Sequence, residues 1–391
     1  MAAIASHPIQ YQTPLFRYLA NLPGIDLHVF FCNHRGDRAY RDPGFSTTIQ
    51  WDVPLLEGYR HTFLPNRSPL SKSSSFGSVF NPTITPILQK EKFDALWIHG
   101  WALATNWLAW VSVPKETSLL LRAEATDLRS PSFGPKDAVR KMLLGAFFRR
   151  IDAFLSIGTR SAVFYRQFGV PERRIFLSPY AVDNAFFTRQ ADSLASARAA
   201  LRQKEGIPET QPLVLFAGKL IPRKRPLDLL KACLLLKDHC SVSVAFVGEG
   251  VQKLDLQRFV RERRIPHVYF LGFRNQSAMA SCYAMADLFV LPSQEEPWGL
   301  VLNEAMCFKL PLLASDRVAA ATDLIRVGEN GFIFPAGDIP MLTQHLAILL
   351  KDASLRLKMG QRSLDMIRRW GIREAGQGIV DALRFCRTHA R

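Results

Sequence analysis

The sequence predicts an α/β fold with two doubly wound parallel-sheet domains. Short apolar runs of strand length alternate with segments of helix period, and this alternation occurs twice along the chain. The run Leu288-Phe289-Val290-Leu291-Pro292 is one example, and it has the length and composition of a buried strand. At 391 residues the chain is also long for a single core, so two or three domains are expected.

The first alternating series covers the N-terminal half. Its strands are predicted at residues 3–6, 25–32, 93–100, 118–122, 153–157 and 175–180. The pattern breaks up from Asn33 to Asn81, where charged and aromatic residues mix with glycine and proline, and a serine-rich piece runs from Ser68 to Ser78. Long irregular insertions in a compact domain are usually functional or mobile, and a flexible surface loop is the plainer interpretation.

The second series follows a polar, charged stretch that predicts a short helix at residues 191–203. Its strands are predicted at residues 213–218, 242–248, 267–272, 288–292 and 310–314, and three helical stretches close the chain. These patterns give an N-terminal domain at residues 1–182, a linker at 183–211, a C-terminal domain at 212–370 and a final helical segment at 371–391.

Basic residues outnumber acidic residues by 50 to 34, which gives a formal net charge of +16. This balance favours anionic partners such as nucleotide phosphates, nucleic acid or an anionic membrane surface. The basic residues are spread over both halves and no nucleic-acid-binding signature is visible, so nucleic acid is not expected as a partner. A hydrophobic content of 48% is ample for packed interiors.

The six cysteines show neither a C-x-x-C pair nor a metal-ligand spacing, which is typical of free thiols in a reducing compartment. The first residues lack the charged start and long apolar core of a secretory signal. No stretch reaches the ~18 uninterrupted apolar residues of a membrane-spanning helix. We therefore expect a cytoplasmic protein.

Two glutamates eight residues apart mark the stretch around which the chain is organised. Glu296 lies in the turn after the run at 288–292, and Glu304 lies in the helix-period segment that follows. In an open α/β sheet such a turn borders the ligand crevice. The first amides of the helix, near Gly299 and Leu300, suit a phosphate, whereas the carboxylates suit sugar hydroxyls. A solvated acidic turn before an ordinary helix is the plainer alternative.

The segment from Glu296 to Glu304, with Pro-Trp-Gly after the first glutamate and Ala-Met after the second, resembles the paired-glutamate signature of the retaining glycosyltransferases of family 4. The resemblance implies the GT-B fold, in which two Rossmann-like domains face each other across a cleft and the last helix crosses back to the first domain. It also implies a glycosyltransferase of the hexosyltransferase type, with a nucleotide-diphosphate sugar as the donor substrate.

A second motif of the family follows the strand at 213–218. Lys219 stands where arginine is usual, Lys224 occupies the matching lysine position, and Arg225 stands where glycine is usual. Lysine lacks the planar fork of arginine but keeps its charge. The resemblance implies that both lysines neutralise the departing nucleotide diphosphate, and a basic surface turn is the alternative.

Other positions receive donor-binding roles through the same resemblance. The strand ends at Gly248 and at Gly272-Phe273 are expected to line the nucleoside pocket, Glu304 to accept from the ribose and Glu296 to accept from the donor sugar. The complete set of expected donor-binding residues is Gly218, Lys219, Lys224, Gly248, Phe273, Glu296, Trp298, Gly299, Leu300 and Glu304.

The N-terminal half supplies weaker candidates. His99 ends a predicted strand and matches the active-site histidine of the family, so we expect it in a catalytic set with Glu296, Lys219 and Lys224. His7 and Gln10, in a loop that lacks the usual glycines of the family, are assigned to the acceptor side, with loop closure as the alternative.

Two more acceptor-side candidates lie beyond the strand at 118–122. They are Arg122, at the end of that strand, and Glu124, which follows it.

The segment from Pro135 to Arg150 is predicted to be a helix with an apolar face and a strongly basic face. Such a face suits anionic lipid headgroups, and packing against the sheet is the alternative. Because many relatives use lipid-linked acceptors, contact with the inner face of the cytoplasmic membrane stays open.

No Asp-x-Asp occurs in the chain, and glycosyltransferases that hold a nucleotide through a divalent metal usually have one. No cofactor and no metal are therefore expected, and the protein itself must neutralise the leaving diphosphate. The expected function is retaining transfer of a sugar to a hydroxyl of a glycan or a lipid-linked glycan in cell-surface polysaccharide synthesis.

Several other functions stay open at this stage. Transfer to a soluble small molecule is one alternative, and an epimerase or phosphorylase of similar shape is another. The alternative outside enzymes is a protein that binds a nucleotide sugar or a polyanion without transferring anything.

Overall fold

The computed structural model describes residues 1–42, 44, 47–70, 76–127 and 134–389. Part of the serine-rich piece, residues 71–75, lies outside the described residues, as do residues 390–391 of the final segment. The chain separates into two compact units. The first unit comprises Met1–Ala39, Pro54–Tyr180 and Ile372–Arg391, and the second comprises Tyr40–Val53 and Ala181–Gly371.

The first unit is built on a parallel sheet with seven strands in the described part of the chain, in the order β5-β2-β1-β6-β7-β8-β9. The strands are β1 (Ala2–Ala5), β2 (His28–Phe31), β5 (Arg60–Phe63), β6 (Ala95–His99), β7 (Ser118–Arg122), β8 (Ala153–Ser156) and β9 (Ile175–Leu177). The interior strand β1 pairs with both β2 and β6, with Ala2 beside His28 on one side and Leu96 on the other.

Helices cover both faces of this sheet, which explains why its central strands are apolar throughout. They are α1 (Thr13–Ala20), α2 (Ile84–Glu91), α3 (Ala104–Ser112), α4 (Pro135–Arg149), α5 (Thr159–Gln167) and α15 (Ile372–Thr388). The C-terminal helix α15 lies close to β9, because an added Cβ at Gly378 would come within 1.9 Å of the Leu177 carbonyl oxygen. The hydroxyl of Ser178 also donates to the Ala375 carbonyl at 2.9 Å.

The second unit contains a parallel sheet of six strands within the described residues, in the order β12-β11-β10-β13-β14-β15. The strands are β10 (Leu213–Ala217), β11 (Ser243–Val247), β12 (Val268–Gly272), β13 (Leu288–Leu291), β14 (Leu312–Ser315) and β15 (Gly331–Phe334). Successive strands run outward from β10 in one direction as far as β12, and in the other from β13 to β15. This order is that of a doubly wound sheet whose topological switch point lies between β10 and β13.

The helices of the second unit include α6 (Asn184–Leu194), α7 (Arg198–Lys204), α8 (Pro226–Leu236), α9 (Lys253–Arg263), α10 (Gln276–Met285), α11 (Leu300–Cys307), α12 (Ala321–Leu324), α13 (Ile339–Lys351) and α14 (Ala353–Ile367). One cluster of buried side chains from the strands and from α8 and α13 forms the core of one face. In the part of the chain that the structure describes, no helix is both long and apolar enough to cross a membrane.

Two segments belong to the second unit although the sequence assigned them elsewhere. The short antiparallel strands β3 (Tyr40–Asp42) and β4 (Thr47–Ile49) lie in the insertion of the N-terminal half. Residues 183–211, expected to be a linker with one short helix, contain α6 and α7. Long-range packing decides both placements, and a local sequence pattern does not contain that information.

Arg202 fixes the end of α7 to the sheet. Its guanidinium, only 2% exposed, donates to the Met285 carbonyl at 2.7 and 2.9 Å and to the Gln211 carbonyl at 2.9 Å. It also pairs with the Asp287 carboxylate at 2.6 Å. One buried cation therefore satisfies a carbonyl just before β10 and another just before β13, and it explains why the stretch before β10 is ordered.

Replacing Arg202 by alanine should lower the free energy of unfolding by about 2–4 kcal/mol, because the Met285 and Gln211 carbonyls would lose a buried donor and Asp287 would lose one of its two arginine partners. The urea midpoint, followed by circular dichroism, measures this loss. Arg258→Ala on α9 is the matched control, since its pair with Asp255 is exposed and worth at most about 1 kcal/mol. Equal midpoints for the two variants would contradict this account of α7.

Candidate active site

The candidate site of the second unit surrounds the switch point of its sheet. The connections after β10 and β13 leave the sheet in opposite directions, so a crevice opens between the carboxyl ends of these two neighbouring strands. Lys219 and Lys224 follow β10, and Glu296 and the start of α11 follow β13. The fold therefore brings both predicted lysines and the first predicted glutamate to one place.

Glycines allow the turns beside Lys219 to pack without side chains. Gly248, after β11, has a φ of +136°, and an added Cβ would lie 2.0 Å from the carbonyl oxygen of Gly218. Gly218 itself has a φ of +146°. The Lys219 side chain extends from this close contact, and its ammonium donates to the Asp42 carboxylate at 2.8 Å.

Lys224 ends a single 3₁₀ turn, Pro222–Lys224, and its ammonium donates to the Glu296 carboxylate. The next residue, Arg225, adopts the left-handed conformation with a φ of +51°. This conformation explains why glycine is usual there, since other residues adopt it at a cost of about 1–2 kcal/mol. Arg225 offsets the cost through an ion pair with Asp228 at 2.5 Å and a bond to Gln294 at 3.1 Å.

The electrostatics of Lys224 are unusual for a lysine. Burial, together with the nearby charges of Arg223 and Lys219, lowers its pKa to about 7. The contact with Glu296 works in the opposite direction by favouring the charged ammonium. Lys224, Arg223 and Lys219 thus converge near two carboxylates, those of Glu296 and Asp42, and an added anion would relieve the mutual repulsion of the cations.

Glu296 is fixed by its backbone. Its amide donates to the Arg317 carbonyl and its carbonyl accepts from the Ala319 amide, both at 3.1 Å. Gly299 then turns the chain into α11 with a φ of +105°, where an added Cβ would meet the side chains of Leu291 and Val318. The first amides of α11, beginning at Leu300, are the ones that an α-helix leaves available at its positive end.

Trp298 supports this turn from inside. It is 3% exposed, its indole N–H donates to the Asn303 side chain at 3.0 Å, and its ring stacks on Trp370 with centroids 5.6 Å apart. These contacts occupy the indole N–H and one ring face of Trp298, so the side chain supports the turn, and its contact with the donor stays a prediction.

Glu304 lies one to two turns along α11. Burial raises the pKa of its carboxyl group to about 7, and a hydrogen bond from the Tyr283 hydroxyl at 2.6 Å acts against this rise. Tyr283 is fully buried and stacks on Phe308. One carboxylate oxygen is thus held by the protein, which orients the side chain. Phe273, half-buried after β12, completes the set of predicted donor-side positions.

The first unit has an analogous switch point, between β1 and β6. His7 and Gln10 follow β1, and His99 ends β6, so these three predicted residues lie at neighbouring strand ends. Burial and the charge of Arg122 lower the pKa of His99 to about 3, and burial with Arg35 lowers the pKa of His7 to about 4. Both imidazoles are therefore neutral near pH 7. The Nε2 atom of His99 has no hydrogen-bond partner among the described residues.

Arg122 and Glu124 differ in their surroundings. Arg122 is 4% exposed, and its guanidinium donates to the carbonyls of Ser178 and Pro179 at 3.0 and 2.9 Å. Its guanidinium therefore holds the chain after β9, and the expected acceptor contact stays a prediction. Glu124 is exposed, and its carboxylate accepts from the Tyr180 hydroxyl.

Sequence reasoning missed Tyr283, Tyr180 and Asp42. Each contacts a predicted residue from a distant part of the chain: Tyr283 contacts Glu304, Tyr180 contacts Glu124, and Asp42 contacts Lys219. None stands in a motif, so the sequence contained no signal for them.

Two sequence families match the chain. Residues 9–181 match the Glycosyl transferase 4-like domain, and residues 197–366 match the Glycosyl transferases group 1. Together these matches take in most of both units. The chain belongs to the group 1 glycosyltransferase family.

Curated relatives match in part. The sulfoquinovosyl transferase of Arabidopsis thaliana is 32% identical over 183 residues, 46% of this chain and 34% of that protein. The D-inositol 3-phosphate glycosyltransferase of Corynebacterium efficiens is 27% identical over 296 residues, 71% of this chain and 68% of that protein. The chain spans 43% to 52% of the length of three other relatives that it matches.

Solved structures match over the whole chain. Anabaena HepE in complex with UDP has a TM-score of 0.72 at 19% identity, covering 98% of this chain and 100% of that one. At this identity the likeness concerns the fold, and it confirms the predicted GT-B class.

Glu304 makes a testable contribution to the pH dependence of stability. Its pKa is near 4.5 in an unfolded chain and about 7 in the folded one, so ionisation opposes folding as the pH rises through this interval. Glu304→Gln removes the charge and keeps an oxygen for Tyr283. The variant should exceed the wild type in free energy of unfolding by less than about 1 kcal/mol at pH 5 and by about 3 kcal/mol at pH 8.

Urea midpoints at pH 5 and pH 8 measure this difference, with Glu262→Gln on α9 as the exposed control. A gain that is the same at both pH values would contradict the buried, ionisable state of Glu304.

Proposed function

We propose that this chain is a retaining, metal-independent glycosyltransferase that moves a sugar from a nucleotide-diphosphate sugar to a hydroxyl of its acceptor. The observation that carries the proposal is the convergence of Lys219, Lys224, Glu296 and the start of α11 at one switch point. A diphosphate requires fixed positive charge and a sugar requires carboxylate acceptors, and this crevice offers both.

The reaction requires that the leaving group be stabilised. Negative charge develops on the diphosphate as the glycosidic bond breaks, so donors fixed at that position stabilise the transition state more than the ground state. Lys219, Lys224 and the first amides of α11 are proposed to supply them. No metal would then be needed to neutralise the diphosphate.

Glu296 is proposed to exchange partners when the donor binds. In the structure its carboxylate accepts from Lys224, so neither charge is left alone in a half-buried site. A diphosphate beside Lys224 would replace that partner and release a carboxylate oxygen for hydroxyls of the donor sugar. This exchange explains how two buried charges stay compatible with folding before substrate arrives.

Glu304 is proposed to accept from the ribose hydroxyls with the oxygen that Tyr283 does not use. His99, neutral near pH 7, is proposed to hydrogen-bond the transferred sugar. Retention needs no nucleophile from the protein in this scheme, because the departing phosphate takes the proton of the acceptor hydroxyl. A glycan or lipid-linked glycan of cell-surface polysaccharide synthesis is the proposed acceptor class.

The helix α4 supports contact with an anionic membrane. Leu144, Phe147 and Phe148 are buried in the first unit, so they form the inner face of the helix. Val139, Met142 and Leu143 are about half exposed or more, beside the exposed Arg140 and Lys141. An exposed apolar strip with adjacent cations suits the boundary between headgroups and acyl chains, and we propose peripheral binding through this helix.

Two substitutions test the donor site. Lys224→Ala should weaken UDP or GDP binding about tenfold or more in calorimetry, and Glu296→Gln should lower the turnover of the accepted nucleotide sugar about 10²–10³-fold with folding unchanged. Lys358→Ala, exposed on α14, is the matched lysine control. Excess EDTA should leave turnover intact.

Wild-type rates in both site variants would refute the assignment. Binding of a nucleotide sugar with no transfer to any acceptor and no hydrolysis would favour the alternative of a binding protein. Loss of turnover in EDTA, restored by a divalent cation, would overturn metal independence.

Met142→Glu should weaken binding to phosphatidylglycerol vesicles roughly tenfold, because an inserted apolar side chain is worth ~1.5–3 kcal/mol. Co-sedimentation measures the bound fraction, and phosphatidylcholine vesicles should retain little protein. Leu357→Glu is the control, since Leu357 is equally exposed but lies on α14 of the second unit. Equal sedimentation of the two variants would contradict the proposal that α4 binds the membrane.

A further inference from the structure

A β-hairpin in the irregular insertion at residues 33–81 belongs to the second unit, which contains the candidate donor site. It consists of β3 and β4, whose residues 40–42 pair antiparallel with residues 47–49. It is grouped with the second unit together with the flanking residues up to Val53. The hairpin contains none of the predicted donor-site residues, so its position beside them has to be explained separately.

The hairpin is attached to the second unit by polar contacts at the carboxyl edge of the sheet. The Asp42 carboxylate accepts from the Lys219 ammonium at 2.8 Å. The Gln50 carbonyl accepts from the Asn275 side chain at 2.6 Å, and Asp52 accepts from the amide and hydroxyl of Ser277. In each contact the hairpin presents the acceptor and the second unit presents the donor.

These donors stand where a nucleoside diphosphate is expected. Lys219 follows β10, and Asn275 and Ser277 lie at the start of α10, after β12. The contacts therefore lie beyond the carboxyl ends of two strands in the same half of the sheet. Gly44 also lies directly against the lysine, because an added Cβ there would approach the Lys219 Nζ to 2.7 Å. The hairpin thus covers the lysine with both a carboxylate and backbone.

We propose that Asp42 is an internal competitor for the donor's diphosphate at Lys219. The inference rests on the proposed function and adds a residue that determines donor affinity. A lysine paired with Asp42 is not available to a phosphate, so the donor must displace the carboxylate. The apparent affinity is then the intrinsic affinity multiplied by the fraction of molecules in which Lys219 is released. Asp42 acts through Lys219 and is in this sense a positioning residue.

The ion pair between Asp42 and Lys219 is weak enough for a ligand to replace it. Asp42 and Lys219 are 16% and 31% exposed, so the contact is neither fully solvated nor sealed. A pair of this kind is weak enough for a diphosphate with more charge to replace it. Free phosphate and other small anions carry less charge and gain fewer contacts, so the same carboxylate would reduce their occupancy of the site.

The test compares isosteric variants of the full-length chain by calorimetry with UDP, GDP, ADP and inorganic pyrophosphate. Asp42→Asn should bind the preferred nucleoside diphosphate and pyrophosphate roughly three- to tenfold more tightly than the wild type. Asp52→Asn, which loosens the hairpin at Ser277, should give a smaller gain. Asp255→Asn on α9 removes the same charge from an exposed position and should give none.

A double variant separates competition from a general effect. Asp42→Asn should give no gain when Lys219→Met is also present, since the competitor would have no target. In turnover assays Asp42→Asn should lower the KM for the donor with little change in kcat, and the unfolding temperature without ligand should stay near that of the wild type.

Unchanged or weaker binding in Asp42→Asn would overturn the inference, and so would a gain that persists without Lys219. If the wild type binds a nucleoside diphosphate through Lys219 and Lys224 but ignores the loss of Asp42, the inference alone fails. If folded wild type and Asp42→Asn both bind none of the four probes, the proposed function fails with it.

Discussion

The pairing of Lys224 with Glu296 is the interaction on which the candidate site depends. The two residues are 72 positions apart in sequence, and they meet because β10 and β13 are neighbours whose connections leave the sheet in opposite directions. Neither charge would be stable alone in this half-buried crevice. The doubly wound topology therefore brings the two residues together, and their pairing makes it possible to place an ammonium and a carboxylate in one crevice, where a sugar phosphate is proposed to bind.

Two ionisable groups in the same site have pKa values shifted from their ordinary values. Burial with neighbouring cations lowers the pKa of Lys224, and burial raises the pKa of Glu304. Such shifts cost stability, because each folded-state group resists the charge that it would carry in water. In the proposed function the diphosphate and the hydroxyls of the donor would supply the missing partners and offset this cost. Arg202 shows the contrasting case, where carbonyls and Asp287 satisfy a buried cation permanently.

The sequence predicted the two sheets well because their central strands are uninterrupted apolar runs, as in Leu213–Ala217 and Leu288–Leu291. It also predicted which side chains follow those strands, since motif spacing survives without tertiary information. It did not predict that Trp298 and Arg122 would be used internally, because burial of a turn residue depends on partners such as Trp370 and Ser178. The placement of α6 and α7 depended on packing for the same reason.

The contact between Asp42 and Lys219 could not be predicted from the local sequence pattern. The two residues are separated by 177 positions, and Asp42 lies in an insertion without a periodic pattern. A lysine in a phosphate-binding turn predicts attraction for any anion, and a carboxylate of the same chain satisfies that attraction as well as a ligand does. In the proposed function, the affinity of the second unit for its donor is therefore a difference between two bound anions, one of which is Asp42 of the protein. The motif lysines would bind the diphosphate, and Asp42 in the insertion would reduce the net free energy of binding.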